Sequence, residues 1–432
     1  MLNKIKNITS KIDNFFYKKF GTNKSIKPLQ NIKEAQNIFS HLNEIDGRNT
    51  VRFVGGCVRK VLCGEKVDDI DLATLLEPEE VKERLIKKGV KVIDTGISHG
   101  TVTAVINQIS FEITTLRKDI STDGRHANVE FTLDWEEDSS RRDFTINAIY
   151  ADMEGRVFDP QNGISDLQNG RIRFIGSPEK RIQEDYLRIL RYFRFFVKYS
   201  LVDHEEEVIK TIKQYINGIN KISKERIFDE LEKTLLTKNF YNLFSNNLSK
   251  DIILNIFPQF KYSERIKIIN SLEKNLVNQY DRHLILAVLM LDESNDYEYF
   301  CHKYKTSGEI KARFKNISTN LNELKNKKFY SQENIKRLIY FSNKNYTKDL
   351  LLFSIAINKK ENISIIEELI NFANGCEIPK FPISGDYLKK YGYKAGPELG
   401  KKLKSLEQDW VNNNFFIEQR SIDKSLGKFD KN

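Results

Sequence analysis

The sequence predicts an α+β protein with a small α/β head in front and a helical remainder behind it. Between residue 30 and about residue 150, short β-branched and aromatic runs alternate with turn residues around one amphipathic stretch. From about residue 180 onward the strand pattern stops. Apolar residues then recur at helical spacing in long segments joined by short polar loops. In 432 residues there are only 21 glycines and 8 prolines, and 40% of the chain is apolar, which excludes collagen-like and low-complexity chains.

Taken in order, Val51–Val54 is a strand that runs into Gly55-Gly56, and Asp69–Ala73 alternates as a strand does. Glu79–Lys88 has helical spacing. Val90–Thr95, Val102–Asn107, Phe111–Leu116 and Val129–Thr132 are further strands. The helices expected behind them are Glu184–Val197, Glu205–Tyr215, Lys224–Leu236, Ile266–Leu276 and Leu284–Leu291. The expected divisions are a basic N-terminal extension (1–28), a head (29–150), a neck (151–240), and a helical body and tail (241–432).

Composition narrows the function classes. Cys57, Cys63, Cys301 and Cys376 form no C-x-x-C pair, which argues against a disulfide scaffold and a zinc site of common spacing. No uninterrupted apolar run approaches the length of a membrane span, and the N-terminal 27 residues lack the apolar core of a secretory signal. Asp13 and the lack of arginine there count against an organellar presequence. The expected location is therefore the cytoplasm. The formal net charge is +10, and residues 301–360 alone hold fourteen Lys/Arg against four Asp/Glu. A stripe of that sign attracts polyanions, with nucleic acid first among them; a solvated lysine-rich surface is the plain alternative.

Two segments carry chemistry. On the 69–73 strand, Asp69 and Asp71 share one face while Ile70 and Leu72 share the other, and Asp68 points away from the pair. Two carboxylates on one rigid face make a hard oxygen site suited to Mg²⁺. Upstream, Phe53-Val54-Gly55-Gly56-Cys57-Val58-Arg59 is a strand, a double-glycine turn and a helix start. Glycines admit a phosphate close to the backbone, helix-start N–H groups favour anions, and Arg59 reaches the same anion. Together the parts fit in-line phosphoryl transfer from a metal-bound nucleotide.

GGCVRKVLCGEKVDDIDLAT resembles the signature of the class II tRNA nucleotidyltransferase and bacterial poly(A) polymerase family, within the polymerase β superfamily. FEITTLRKD (111–119), STDGRHANVEFT (121–132), RRDFTINAIYAD (141–152), FDPQNGISDLQNGRIRFIG (158–176) and EDYLRILRYFRF (184–195) follow in the family's order, and ISGDYLKKYGYKAGPELGKKL (383–403) resembles its tail. Lys60 departs from the pattern by standing where the family usually has Asp.

The resemblance implies a polymerase-β-like head and an all-helical neck, body and tail. It implies Asp69 and Asp71 as Mg²⁺ ligands, with Glu112 as a possible third catalytic carboxylate for the primer 3′-hydroxyl. Gly55, Gly56 and Arg59 would meet the triphosphate, and Arg142 and Asn147 would shape the nucleotide pocket. Asp185 and Arg188 would read the base edge as a protein template, assisted by Arg191 and Arg194. A segment around Lys118–Ala127 would be the family's flexible loop.

On a continuous 184–197 helix, Arg188, Arg191 and Arg194 fall on one arc and would repel one another without anionic company, which a triphosphate would supply. The expected activity is addition of C, C and A to the tRNA 3′ end from CTP and ATP. Poly(A) polymerase and CC-adding activities of the same family are the alternatives, and no obligate protein partner is evident.

Overall fold

The computed structural model describes residues 26–43, 50–123, 126–357 and 363–426, and side chains within 119–128 are left aside. The basic extension falls almost wholly outside these residues. The chain divides into two compact units, Met1–Ile252 and Ile253–Asn432. Among the described residues, no helix is long and apolar enough to cross a membrane.

In the first unit a helical turn (Lys27–Gln30) leads through α1 (Lys33–Leu42), β1 (Val51–Val54), α2 (Gly56–Leu62), β2 (Ile70–Thr74), α3 (Pro78–Lys87), β3 (Lys91–Gly96), β4 (Thr101–Ile106), β5 (Ile109–Thr115), β6 (Arg117–Asp123), β7 (His126–Phe131) and α4 (Trp135–Ser140). Then come β8 (Tyr150–Ala151), β9 (Val157–Phe158), α5 (Gly163–Asn169), α6 (Pro178–Glu184), α7 (Arg188–Tyr199), α8 (Glu206–Tyr215) and α9 (Lys224–Leu235). Seven strands form one sheet in the order β3-β4-β5-β2-β1-β8-β9. β2 lies parallel to β5 with Asp71 beside Glu112, and antiparallel to β1. Within β2 alternation works as read from sequence, with Ile70 and Leu72 buried and Asp71 on the other face, but Asp68 and Asp69 precede the strand and are both exposed, so Asp68 is not turned away.

Two local expectations change. β6 and β7 pair antiparallel as a separate two-stranded sheet, so of the expected loop Lys118–Asp123 and His126–Ala127 lie in paired strands, and residues 124–125 fall outside the described residues. The expected 184–197 helix is two helices, because α6 ends at Glu184 and α7 begins at Arg188. Asp185 breaks it. Its backbone is extended, and its Oδ1 accepts the Leu187 N–H at 3.1 Å, replacing the helical ladder by a side-chain bond.

The second unit is helical. Arg282–Met290 is its most buried element, with Leu284 through Met290 all inside, and Asp281 caps its start by accepting from the His283 and Leu284 N–H groups. The expected 266–276 helix is split into Arg265–Asn270 and Lys274–Val277. At the C-terminal end, Ile383, Leu388, Leu406 and Ile422 form a small core of their own.

The basic 301–360 stretch is partly spent inside this unit. Arg313 donates from Nε and Nη2 to the buried Asp349 and from Nη1 to Asp281, tying two helices to the cap of a third. Lys311, Lys325 and Arg337 pair with Glu298, Glu293 and Glu323. Arg313→Ala should therefore cost about 3–5 kcal/mol, because it strands Asp349 as a buried charge. Chemical denaturation would check this, and a loss below about 1 kcal/mol would mean that the pair is only a surface contact.

Candidate active site

One cavity of about 990 Å³ in the first unit is lined by every residue singled out above: Gly55, Gly56, Arg59, Asp69, Asp71, Glu112, Arg142, Asn147, Asp185, Arg188, Arg191 and Arg194. The sheet supplies one wall and α7 with α9 supplies another.

The sheet wall is anionic. β1 ends at Val54 and is followed by Gly55, whose φ of 71° is a left-handed conformation that suits glycine, and α2 begins at the next residue. A Cβ on Gly56 would lie 3.9 Å from both Arg59 Nη2 and Asp71 Oδ2, so this glycine holds open the gap between a cation and a carboxylate. Asp71 is half-buried, with Glu112 beside it on β5 and Asp69 two residues away. Burial first, and then the charge of Glu112, push the Asp71 carboxyl up to about 6. Three carboxylates crowded this way carry an electrostatic cost that a hard divalent cation removes. Among the described residues no group of three or more His, Cys, Asp or Glu encloses a metal by itself. Asp69 and Asp71 could hold Mg²⁺ as an open pair, with phosphate oxygens and water in the remaining positions.

The opposite wall is cationic, and its charges are already partnered. Arg191 donates from Nε to Asp143 Oδ2 at 2.7 Å, and Asn147 Nδ2 donates to Asp143 Oδ1 at 2.9 Å. Burial alone would raise Asp143, but Arg191 and the Asn147 bond hold it well below the usual carboxylate range. Arg194 is held by the buried Glu230, and Arg188 by Glu184 and the Arg181 carbonyl. Asp185 Oδ2 accepts from Arg226 Nη2 at 2.7 Å. These arginines therefore have anionic company from the protein itself. Asp185 is thus paired with Arg226, and Arg188 with Glu184.

Asp138 does the same for the head. It is fully buried and accepts from Arg141 Nε at 2.8 Å, Arg142 Nη2 at 3.1 Å and Tyr150 Oη at 2.7 Å. Arg59 donates to Tyr199 Oη at 3.2 Å and stacks on Phe195 and Tyr199. Lys60, the departure from the family pattern, pairs with Asp68 at 3.2 Å, and both lie on the cavity rim.

Asp138, Asp143, Glu184, Arg226 and Glu230 were missed in the sequence. Spacing held a signal for some of them: Asp138 stands three and four residues before Arg141 and Arg142, Glu184 four before Arg188, and Arg226 four before Glu230 on one face of α9. Asp143 and Arg191 are 48 residues apart, and no local pattern joins them.

This geometry, with two sheet carboxylates beside a glycine-led helix start and an arginine-lined wall facing them, defines a nucleotidyltransferase. Residues 51–173 match the model described as the poly A polymerase head domain, and residues 203–263 match a probable RNA- and SrmB-binding site of polymerase A. The chain is 33% identical over 397 residues to mouse CCA tRNA nucleotidyltransferase 1, mitochondrial, spanning 91% of this chain and 89% of that one. A CCA-adding enzyme of Lactococcus lactis subsp. cremoris is also 33% identical, over 86% of this chain and 90% of its own. The solved Bacillus stearothermophilus CCA-adding enzyme in complex with CTP superposes with a TM-score of 0.71 at 26% identity, covering 92% of this chain and 96% of that one. The chain belongs to the CCA tRNA nucleotidyltransferase family.

The raised Asp71 carboxyl makes the metal-free protein pH-sensitive. Its folded pKa of about 6 lies above the ordinary 3.8. Stability is therefore full below the lower value and falls as pH rises through the higher one. Glu112→Gln should shrink that loss, so its melting temperature in chelator should gain on the wild type between about pH 4 and about pH 7. Mg²⁺ should stabilise the wild type at about pH 7 and lose its effect near pH 5, where protons compete for Asp71. Melting curves unchanged by Glu112→Gln at every pH would show that the two carboxylates do not interact.

Proposed function

We propose that this protein adds C, C and A to the 3′ end of tRNA from CTP and ATP, with Mg²⁺ as the metal and no nucleic-acid template. The observation that carries this is one cavity with Asp69, Asp71 and Glu112 on one wall and Asp185 with Arg188 on the other, an acceptor and a donor suited to a base edge. The four buried cysteines suit a reducing compartment such as the cytoplasm.

In the proposed step the tRNA 3′-hydroxyl oxygen attacks the α-phosphorus, the bond from that phosphorus to the bridging oxygen breaks, and pyrophosphate leaves. Asp69 and Asp71 would hold Mg²⁺, which supplies charge neutralisation at the phosphates and lowers the pKa of the attacking hydroxyl. Glu112, exposed to the cavity beside Asp71, would take up the proton that this hydroxyl loses. Gly55, Gly56 and Arg59 would receive the triphosphate at the start of α2. Arg142 and Asn147, locked by Asp138 and Asp143, would seat the sugar and phosphate.

Base choice would rest on fixed hydrogen-bonding groups. A carboxylate has about four lone-pair sites, so Asp185 keeps acceptor capacity beyond its bonds to Arg226 and the Leu187 N–H. Among the described residues both side-chain hydrogen bonds of Arg188 leave from Nη1, so its other N–H groups remain for a ligand. On the Watson–Crick edge cytosine and adenine each present an amino donor beside an acceptor ring nitrogen, which matches one acceptor and one donor. Guanine presents its amino group beside an N–H there, and uracil has no amino group. Arg191 and Arg194, held by Asp143 and Glu230, would brace the nucleotide.

Asp71→Ala should abolish transfer while tRNA binding persists, since the loss is several kcal/mol of barrier. Arg188→Ala should let UTP and GTP compete with CTP and ATP, whereas Arg59→Ala should weaken all four alike. The measurement is kcat/KM for each nucleotide on tRNA lacking its terminal residues. An unchanged C-to-U ratio in Arg188→Ala would remove Arg188 from base reading.

A further inference from the structure

Lys60 and Lys198 both line the cavity, and nothing above gives either a task. α7 turns Arg188, Arg191, Arg194, Phe195 and Lys198 towards that cavity. These positions fall on one side of a helix, so Lys198 lies about 15 Å along the axis from Arg188. Arg188 marks the base end in the proposed function, and Lys198 therefore marks the opposite end. Arg59, stacked on Phe195 and Tyr199, is close to that end too.

The far end is closed by the loop between α2 and β2. Gly64, at φ 69°, ends α2: its N–H donates to the Val61 carbonyl at 2.9 Å, and the Glu65 N–H donates to the Lys60 carbonyl at 2.8 Å. This turn fixes Glu65 against the last turn of α2. Two acids of the loop then take the two lysines, Asp68 Oδ2 holding Lys60 Nζ at 3.2 Å and Glu65 Oε2 holding Lys198 Nζ at 2.6 Å.

These pairs differ in burial from those of the arginines. Asp143 and Glu230 are buried, so drawing Arg191 or Arg194 away would strand a charge at about 3–5 kcal/mol. The Asp68 side chain is 63% exposed, so the Lys60–Asp68 pair is worth about 0–1 kcal/mol. Lys198 and Glu65 form a half-buried pair, 30% and 29% exposed, in which Glu65 still keeps more water than Asp143 or Glu230. A polyanion entering the cavity can therefore recruit Lys60 and Lys198 at less cost than the arginines. Lys60 also stands one helical turn beyond Gly56, and its charge is felt at Asp71.

We infer that Lys60 and Lys198 form a subsite for the terminal phosphates of the incoming nucleotide, the part that departs as pyrophosphate, and that Asp68 and Glu65 hold the two lysines when the subsite is free. The inference rests on the nucleotidyl-transfer function proposed for this cavity. The lysines act as point charges on the phosphate oxygens, and the two acids compete with pyrophosphate for them. As pyrophosphate leaves, the acids recapture the lysines, which favours release.

The test uses the full chain with Mg²⁺ and tRNA lacking its terminal residues. Inhibition by inorganic pyrophosphate is measured beside calorimetric binding of CTP, CMP and pyrophosphate. Lys60→Ala and Lys198→Ala should each weaken pyrophosphate inhibition and CTP binding about tenfold while CMP binding stays unchanged. Asp68→Asn and Glu65→Gln should act in the opposite sense and tighten pyrophosphate inhibition. Equal losses for CTP and CMP, unchanged pyrophosphate binding in the lysine variants, or weaker inhibition in the acid variants would each overturn the subsite. Absence of any nucleotide transfer by the wild type would instead overturn the function proposed for the cavity, and the pyrophosphate binding comparison would still decide the subsite by itself.

Discussion

A carboxylate placed behind Arg141, Arg142, Arg191 and Arg194 is the constraint on which the cavity depends. Asp138 stands behind Arg141 and Arg142, Asp143 behind Arg191, and Glu230 behind Arg194. Guanidinium groups gathered in a partly dry space repel one another and lose hydration, and neither cost is tolerable unpaired. The partners come from different elements: Asp143 follows α4, and Glu230 sits on α9. The Asp143–Arg191 pair therefore also pins the helical wall to the head, and all of these donors are aimed before any ligand arrives; preorganised donors need no rearrangement during reaction.

The two walls are treated in opposite ways. On the helical wall the cations are matched by buried acids, and Asp143 stays ionised with ease. On the sheet wall, Asp71, Glu112 and Asp69 are brought together and the Asp71 carboxyl rises to about 6. Parallel pairing of β2 with β5 enforces this, because register puts Asp71 and Glu112 side by side. The result is a surface that asks for a cation facing one that has its charges settled.

Behind the cationic face of α7 lies an aromatic one. Tyr192 Oη bonds His204 Nδ1 at 2.9 Å, and His204 Nε2 bonds Ser249 Oγ at 2.7 Å. Burial pushes His204 down to about 4, so the ring is neutral at ordinary pH and completes a buried chain of neutral hydrogen bonds. Phe196 stacks on His204, and Phe144 and Phe174 pack against Tyr192. α7 is thus fastened from the back by aromatic packing, which leaves its front to carry charge.

The sequence by itself determined the parts that depend on neighbours along the chain. Val51–Val54 as a strand, the left-handed Gly55, the inward Ile70 and Leu72, and the acid face of β2 all follow from alternation and glycine chemistry, which are local. The list of cavity residues was legible because their motifs are compact runs. Tertiary structure alone decided who partners whom. The break at Asp185 came from a side chain outcompeting the helix ladder, although Glu184–Val197 has unbroken helical periodicity. Arg191 found Asp143 across 48 residues, and Lys198 found Glu65 across 133. Long-range Coulomb pairing leaves no period in a sequence, since it depends on where the folded backbone delivers each charge and how dry that place is.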